Sequence, residues 1–399
     1  MTINTKNKKN VLFVVDERRM GGVSVLLEDM MNMIDLSKYT IDILSLHNNG
    51  EMLENLPTGV NLIFGTSYFQ SIDFTYQEVI KKHDIKLFFN KVRIVFDMKT
   101  NKIQKQILKE REKILSKKYD VEIAFKDGFT ALFTAFGDSK KKVHWLHYEY
   151  KKTNPNKRYN ALFKRAFKSF DEIIAVSDGV MNAFNDLYHL EMKTHVISNL
   201  VDANKIIEKS NEKCDVKLDN KELNFISVGR IHPMKGYDRL INALHRLKEE
   251  KRMPNNFKLR LYGTGTLLNE LKEMISNFHL ENHIELMGQV MNPYKYLKNS
   301  DLFILSSYYE PFGLVMVEAM LTGVPVLATE NAATSKIIDN KKNGYIVENS
   351  EKGLYDGLKY LFSHLEEIKK YKDNLKEYKY DNTKMIRQIE DVLDKWNRA

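Results

Sequence analysis

The sequence predicts an α/β fold built from two doubly wound parallel sheets, and three observations point to it. The chain has 399 residues, which is enough for two domains of ordinary size. Short runs rich in β-branched and aromatic residues alternate with helical patterns, as expected for βα repeats. A polar stretch without apolar periodicity, Asp202 to Leu223, separates two series of such repeats and is expected to link the domains.

The predicted strands fall into two series, one in each half of the chain. The first is Val11–Val15, Ile41–Leu46, Val60–Phe64, Val121–Phe125, Val143–His147, Ile173–Val176 and Thr194–Ile197. The second is Asn224–Val228, Lys258–Tyr262, Ile284–Met287, Leu302–Leu305, Val324–Ala328 and Tyr345–Val347. The tail from Glu351 is helical in character, and Asn382-Thr383 is a candidate cap for a last helix, Met385 to Trp396. We expect domains at 1–201 and 224–381, a linker at 202–223 and a final helix within 382–399.

Composition narrows the class of protein. A hydrophobic content of 43% indicates a globular chain rather than a disordered one. The single cysteine, Cys214, excludes an intramolecular disulfide and a cysteine-rich zinc site, and it favours a reducing compartment. No run of about 18 apolar residues is present, and the N-terminus is polar and basic. The expectation is a soluble, cytoplasmic protein.

The net charge of +9 suggests that the protein binds an anionic partner. Much of the excess lies between Lys81 and Lys168, and no nucleic-acid motif accompanies it, so nucleic acid is not expected as a partner. Apolar residues recur at near-helical spacing among lysines and arginines in one part of this stretch: Leu87, Phe88, Val92, Val95 and Phe96. Two interpretations stay open. This basic segment contacts an anionic membrane surface, or its apolar residues pack into the core while the lysines are solvated.

The segment Ser306 to Thr329 carries the strongest chemical signal. Glu318 lies inside an apolar run that reads as a short buried helix, Leu314 to Leu321, so its carboxylate needs a partner. Glu310 lies in the loop before that helix, beside Pro311 and Gly313. A helix start leaves free backbone N–H groups and attracts anions. Two carboxylates with free amides between them suit a sugar-nucleotide.

A second anion site is predicted after the strand that ends at Val228. Arg230 offers a planar fork for two phosphate oxygens, and Lys235 supplies a compact charge for a third. Glycine turns follow other strands, where backbone can approach a phosphate closely. They contain Gly21 and Gly22 after the first strand and, in the second half, Gly263, Gly265 and Gly288.

Two histidines end a strand in the first half. His144 and His147 point to different faces of the sheet, so a shared metal is not expected, and one of them should face the ligand. Ser177 opens the next helix and is a candidate cap. No Asp-x-Asp pair of the kind that holds a metal for sugar-nucleotide chemistry occurs in the chain.

The spacing of Glu310 and Glu318, followed by Gly323-Val324-Pro325-Val326, resembles the signature of the retaining GT-B glycosyltransferases of family 4, of the bacterial cell-envelope polysaccharide type. Gly229-Arg230 with Lys235-Gly236 is similar to the motif that holds the donor diphosphate in that family. The resemblance implies two Rossmann-like domains facing a cleft, with a C-terminal helix crossing back to the N-terminal domain. It also implies a nucleotide-sugar co-substrate, expected to be UDP-linked with guanosine left open, and neither a cofactor nor a metal.

The same resemblance assigns the site residues. Arg230, Lys235, Glu310 and His147 are the expected catalytic residues. The expected donor-binding residues are Gly21, Gly22, Gly263, Gly265, Gly288, Val290, Pro311, Phe312, Gly313, Leu314 and Glu318. One departure concerns the turn after Ala328, where the family carries a glycine pair and this chain reads Glu330 to Lys336. That departure leaves the sugar identity open.

The expected function is transfer of a hexosyl unit to a hydroxyl acceptor, on a lipid-linked saccharide, a cell-surface polymer precursor or a protein. For this function we expect a cytoplasmic protein with peripheral contact to the inner face of the membrane. A non-catalytic GT-B subunit that binds a glycan or glycosylated protein and stabilises a partner is the alternative, and a sugar-nucleotide epimerase is a third. The joint presence of Arg230, Lys235 and Glu310 favours the transferase, because a binding-only subunit does not need this charged set.

Overall fold

A computed structural model describes most of the chain. The described residues are 8–16, 21–48, 53, 56–72, 76–81, 83–100, 102–148, 159–190, 193–216 and 221–395. Met20, Trp396 and residues 149–158 of the basic stretch lie outside them. By its internal contacts the chain divides into two compact units, one containing residues 1–200 with 382–399 and the other containing residues 201–381.

The first unit contains a seven-stranded parallel sheet in the order β3-β2-β1-β4-β5-β6-β7. Its strands are β1 Lys9–Val15, β2 Tyr39–Ser45, β3 Val60–Phe64, β4 Val121–Ala124, β5 Lys141–Leu146, β6 Glu172–Ala175 and β7 Lys193–Val196. Its helices up to residue 200 are α1 Gly22–Met33, α2 Ser67–Gln70, α3 Tyr76–Lys81, α4 Ile85–Lys99, α5 Ile103–Ile114, α6 Phe129–Ala135, α7 Asn160–Phe167 and α8 Asp178–Tyr188. Ser177 caps α8 as predicted, because its hydroxyl accepts from the backbone N–H of Val180 at 3.4 Å.

The second unit contains a six-stranded parallel sheet in the order β10-β9-β8-β11-β12-β13. Its strands are β8 Leu223–Val228, β9 Phe257–Tyr262, β10 Ile284–Gly288, β11 Leu302–Leu305, β12 Val326–Thr329 and β13 Gly344–Val347. Its helices are α9 Ala203–Ser210, α10 Tyr237–Glu249, α11 Leu268–Asn277, α12 Tyr294–Lys298, α13 Leu314–Leu321, α14 Thr334–Ile337, α15 Glu351–Ser363 and α16 Leu365–Asn374. Strands β11 and β12 are buried along their whole length, as expected for parallel strands covered on both faces.

A final helix, α17 Thr383–Asp394, packs on the first unit. Lysines hold its C-terminal end. Lys9 Nζ donates to the carbonyl of Asp394 at 2.7 Å, and Lys141 Nζ donates to the carbonyl of Val392 at 2.5 Å. Cations at this end satisfy carbonyls that lack helical partners and complement the helix dipole. The predicted α/β fold class, with its returning C-terminal helix, is therefore confirmed.

One expectation needs correction. Part of the predicted linker folds as α9, because Ile206 is buried where this helix packs against α12 and α13 within the second unit. Within the basic stretch, two lysines of the tract at 140–142 have acidic partners. Lys140 pairs with Asp120 at 2.7 Å, and Lys141 is buried at 3.2 Å from Glu172.

An ion pair within the first unit joins α5 to the sheet. The guanidinium of Arg111 donates to both carboxylate oxygens of Glu122, at 2.9 and 2.6 Å, and to the carbonyl of Phe133 at 3.0 Å. Both charged side chains are buried, and burial raises the pKa of Glu122 despite the neighbouring cation. Two paired charges in the interior tolerate removal together far better than removal of one.

We expect Arg111→Met to lower the free energy of unfolding of the first unit by about 3–5 kcal/mol, because it leaves the Glu122 carboxylate buried without a cation. Urea unfolding followed by the fluorescence of Trp145, which is buried in this unit, measures the change. The double variant Arg111→Met with Glu122→Gln is the control and should recover most of the loss. Equal losses in the single and double variants would contradict this account.

Candidate active site

The candidate site of the second unit lies where its strand order reverses. Strands β8 and β11 are neighbours at the middle of the sheet, and the chain runs from each in opposite directions across it. Ligands of open α/β sheets bind beyond the carboxyl ends of the strands at such a point. The loop after β8 carries Arg230 and Lys235, and the loop after β11 carries Glu310.

An ion pair connects these two loops. Lys235 Nζ lies 2.5 Å from Glu310 Oε1, and the hydroxyl of Ser307 donates to the same oxygen at 2.6 Å. Glu310 is buried and Lys235 is partly buried. Burial alone would lower the pKa of the Lys235 ammonium, but the Glu310 carboxylate outweighs it and the pKa is raised. Lys235 is therefore charged at neutral pH.

Backbone contacts hold the two loops at this distance. The hydroxyl of Ser306 donates to the carbonyl of Lys235 at 2.8 Å, and the N–H of Tyr308 donates to the carbonyl of Met234 at 2.9 Å. Gly236 has φ +62, and a Cβ there would lie 2.3 Å from the carbonyl oxygen of Ser306. Only glycine permits this approach together with this backbone conformation.

The glycine turn after β9 supports the loop that carries Arg230. A Cβ at Gly263 would lie 1.9 Å from the carbonyl oxygen of Gly229, and a Cβ at Gly265 would lie 2.1 Å from that of Ile231. The N–H of Gly263 also donates to the carbonyl of Gly288 at 2.7 Å, which ties in the turn after β10. These glycines are thus required for packing the loops, whatever they contact in a ligand.

Arg230 differs from Lys235 in its surroundings. Its side chain is exposed, and among the described residues it has no hydrogen bond or ion pair. Its charge nevertheless reaches Lys235, where it opposes protonation. Two adjacent cations, one paired and one open to solvent, make this end of the sheet suited to an anion.

The helix after Glu310 begins as the sequence predicts. Helix α13 spans Leu314–Leu321, and its N-cap Gly313 has φ +81. Pro311 and Phe312 lead into it, so the backbone N–H groups of its first turn lie directly after the Glu310 loop. Glu318 is only half-buried, whereas the sequence predicted that it lies in a buried helix. Its expected partner is present, since the hydroxyl of Tyr294 donates to Glu318 Oε1 at 3.5 Å.

Arg239 is a site residue that the sequence reasoning missed. This buried side chain on α10 donates through Nε and Nη2 to the carbonyl of Ser306, at 2.9 and 2.6 Å, and Nη2 lies 3.3 Å from the hydroxyl of Thr329. Its guanidinium stacks 3.9 Å from the ring centroid of Tyr308. It fixes the start of the loop that carries Glu310. Arg239 lies one helical turn before Ala243, on the same buried face of α10. This helical spacing could have predicted that Arg239 is buried.

The predicted residues of the first unit lie after β1 and β5. Gly21 is the N-cap of α1, in extended backbone, and no described atom lies within 4 Å of where its Cβ would be. Its lack of a side chain therefore has no packing cause among the described residues. Gly22 is the first residue of α1, and its Cα is exposed.

His144 lies within β5 and His147 directly follows it, and the two histidines have separate environments, as predicted. His144 is fully buried, with Nε2 3.2 Å from Asp127 Oδ1 and its ring stacked on Phe167. His147 is buried against Phe125, at 4.9 Å between ring centroids, and its Nε2 has no hydrogen-bond partner among the described residues. Burial lowers the pKa of His147 to about 3, so its ring is neutral at physiological pH.

Among the described residues, no group of three or more histidine, cysteine, aspartate or glutamate side chains is arranged to hold a metal ion. None of the described helices is long and apolar enough to span a bilayer.

Comparison with known proteins assigns the second unit to a protein family. Residues 208–381 match the family described as Glycosyl transferases group 1. The second unit is a glycosyl transferases group 1 domain. In this glycosyltransferase domain the matched residues include both loops of the Lys235–Glu310 pair and the whole of α13. The predicted family resemblance is thereby confirmed.

Relatives extend the likeness over part of the chain. An uncharacterized glycosyltransferase of Methanocaldococcus jannaschii is 34% identical over 144 residues, which is 35% of this chain and 35% of that protein. The Campylobacter jejuni N-acetylgalactosamine-N,N'-diacetylbacillosaminyl-diphospho-undecaprenol 4-alpha-N-acetylgalactosaminyltransferase is 29% identical over 231 residues, which is 57% of this chain and 60% of that protein. The matches thus span 35% and 60% of the length of these two relatives.

A solved structure matches along nearly the full chain. Anabaena HepE in complex with UDP and glucose is similar with a TM-score of 0.70 and 19% identity, over 97% of this chain and 100% of that one. At this identity the likeness shows the fold alone, which is GT-B. The first unit and the glycosyltransferase domain are thus the two Rossmann-like parts of a GT-B protein.

The neutral state of His147 predicts an acid-sensitive first unit. In the unfolded chain this histidine titrates near its ordinary pKa of 6.5, whereas in the folded chain it titrates near 3. The contribution of His147 to the free energy of unfolding is thus fully present above pH 6.5. It is lost as the pH falls below that value, at up to about 1.4 kcal/mol per pH unit. Urea unfolding between neutral and mildly acidic pH measures this slope. His147→Gln should flatten it, and an unchanged slope would contradict the assignment.

Proposed function

We propose that the protein is a retaining, metal-independent glycosyltransferase that moves a hexosyl unit from a UDP-sugar to a hydroxyl acceptor. The observation that supports this most strongly is the Lys235–Glu310 pair between the loops after β8 and β11, with Arg230 open to solvent beside it. This arrangement lies at the switch point of a glycosyl transferases group 1 domain.

The proposed step separates a diphosphate from the sugar. The bond between the anomeric carbon and the diphosphate oxygen breaks, and a bond from the acceptor oxygen to the same face of that carbon forms. The acceptor proton passes to a phosphate oxygen of the departing UDP. Negative charge grows on the diphosphate during this step, and Arg230, Lys235 and the first-turn amides of α13 are placed to stabilise it.

Glu310 has two proposed roles in this scheme. Its carboxylate keeps Lys235 charged within a partly buried loop, and it accepts hydrogen bonds from the sugar hydroxyls. Glu318, half-buried on α13 beside Tyr294, is proposed to accept from the ribose hydroxyls. The turns with Gly263, Gly265, Gly288 and Val290 are proposed to line the nucleotide pocket, and Gly21, Gly22 and neutral His147 to contact the donor.

Lys235 is the residue whose roles are hardest to separate. Its removal leaves the buried Glu310 without its cation and also removes the proposed phosphate contact, so a Lys235 variant is expected to lose stability together with turnover. Arg230 has no such contact among the described residues. It is therefore the better probe of the chemical step.

The proposed donor and acceptor follow from the named relatives. HepE is solved with UDP and glucose, and the Campylobacter jejuni relative is named for an undecaprenol-diphosphate acceptor. We accordingly propose a UDP-hexose donor and a lipid-linked saccharide acceptor, with the protein peripheral on the cytoplasmic face of a membrane. No resident cofactor takes part in the proposed reaction.

The direct test is incubation of the protein with a panel of nucleotide-sugars in excess EDTA, with and without membrane lipid extract. We expect UDP release from one UDP-sugar in EDTA, stimulated by the lipid extract, and a product whose anomeric configuration by NMR equals that of the donor. Loss of activity in EDTA with recovery in manganese would overturn metal independence. An inverted product would overturn retention. Binding of glycan without turnover of any donor would favour the non-catalytic subunit.

A matched pair of substitutions tests the cations. Arg230→Ala should lower turnover at least about a hundredfold with an unchanged melting temperature, because one well-placed donor to a developing anion contributes about 3–4 kcal/mol. Steady-state UDP release and thermal unfolding measure the two quantities. Lys272→Ala, an exposed lysine on α11, is the control and should leave both unchanged. Near-normal turnover in Arg230→Ala would refute the role of this residue.

A further inference from the structure

Helix α4 carries two apolar stripes, of which only one is buried. Leu87, Ile94 and Met98 face the interior. The other stripe is exposed and follows helical spacing: Ile85 is 73% exposed, Phe88 38%, Phe89 66%, Val92 42% and Phe96 53%. A surface helix ordinarily has one apolar stripe, which faces the core. Most of this stripe is open to solvent, and contiguous apolar surface of this kind marks an interaction site.

The exposed stripe is bordered by cations. Lys86, Arg93 and Lys99 lie on α4 itself, and α5 with the residue before it adds Lys102, Lys105 and Lys109. Lys102 Nζ lies 5.3 Å from the ring centroid of Phe96, so the basic border and the aromatic stripe are in contact. Aromatic and aliphatic side chains flanked by lysines and arginines are typical of helices that lie in the headgroup region of a bilayer.

A groove of about 460 Å³ lies next to the stripe, between α4 and α5. Four cations line it, Arg93, Lys102, Lys105 and Lys109, against two acids, Asp97 and Glu112. Arg93 already has partners within the groove, since it donates a hydrogen bond to Gln106 at 2.6 Å and lies 3.8 Å from Asp97. The three lysines have no ion pair with any described residue. The groove is thus net positive, as expected for a site that binds a lipid phosphate.

We propose that the exposed face of α4 docks on an anionic phospholipid surface, with its apolar stripe among the acyl chains and a lipid phosphate in the α4–α5 groove. This rests on the proposed function, for which it names the lipid surface as the partner of the first unit. An acceptor embedded in a bilayer can be reached only by an enzyme that stays at that surface.

Charge argues against the other occupants of this face. A second copy of the chain pairing through the same face would bring lysines and arginines against lysines and arginines, which is unfavourable. Nucleic acid would satisfy the cations but leave the aliphatic stripe, Ile85 and Val92, against a polar backbone. An anionic bilayer satisfies both parts of the surface at once.

The test is vesicle flotation with the full chain, using phosphatidylcholine alone and phosphatidylcholine mixed with phosphatidylglycerol. We expect at least about tenfold tighter binding to the anionic vesicles, since each lysine or arginine near such a surface contributes about 1 kcal/mol. The double variant Phe89→Ser with Phe96→Ser should lose binding to both vesicle types by about tenfold or more. Lys105→Glu with Lys109→Glu should lose the preference for anionic vesicles.

Matched controls come from the second unit. Leu365→Ser removes an exposed apolar side chain, 45% exposed, and Lys272→Glu reverses an exposed charge. Both should bind vesicles like the unaltered chain. Equal binding of the α4 double variant and the controls would overturn the proposal. So would a concentration-dependent dimer by light scattering that the α4 double variant abolishes, or displacement from vesicles by inorganic phosphate alone.

Failure of this proposal is distinguishable from failure of the proposed function. None of the substituted residues belongs to the donor site, so turnover of a UDP-sugar with a soluble acceptor should be unchanged in the α4 variants. Loss of vesicle binding with intact turnover on a soluble acceptor, and lower turnover on vesicle-embedded lipid acceptor, is the expected result. Absent turnover with intact vesicle binding would sink the catalytic proposal alone.

Discussion

The ion pair between Lys235 and Glu310 is the contact on which the organisation of the second unit's site depends. The two residues lie at the carboxyl ends of β8 and β11, the strands from which the chain winds in opposite directions. The pair brings a buried glutamate and a partly buried lysine into direct contact, and the glutamate raises the pKa of Lys235. In the proposed reaction, an incoming diphosphate and sugar would meet a cation and a hydrogen-bond acceptor that are already positioned, so little reorganisation remains.

Several contacts keep that pair in place, and most of them use backbone. Gly236, Gly263 and Gly265 allow main-chain segments to approach more closely than any side chain would permit. Arg239 reaches from α10 to the carbonyl of Ser306 and stacks on Tyr308. These contacts lie one layer below the charged groups and hold the two loops that carry them. Substituting any of these supporting residues would disturb the site without touching its charged groups.

The excess of positive charge has three different uses in this chain. Arg111 and Lys141 are buried and structural, the first paired with Glu122 and the second holding the end of α17. Lys235 and Arg230 lie at the candidate active site. The lysines of α4 and α5 border an exposed apolar stripe. A net charge alone does not separate these uses, because a buried paired lysine and a solvated one count equally in the sum.

Sequence reasoning identified the thirteen strands of the described residues, helix α13 and the loops that follow β8 and β11. Parallel strands that are buried on both faces have continuous apolar sequences, and glycine turns often follow them. Local sequence is therefore sufficient to locate the strands. Boundaries differed by a residue or two, because the last residues of a strand are decided by its neighbours in the sheet. Helix α9 was missed, because its sequence is mostly polar and only one of its isoleucines, Ile206, is buried.

What local sequence does not carry is the meeting of residues far apart in the chain. Glu310 and Lys235 were each singled out, but their pairing across 75 positions follows only from the adjacency of β8 and β11. The burial of Arg239, the commitment of Lys141 to α17 and the choice of which α4 stripe faces outward depend on tertiary contacts in the same way. Apolar periodicity shows that a helix has a face to bury, whereas only the packed structure decides which face is covered and which stays exposed.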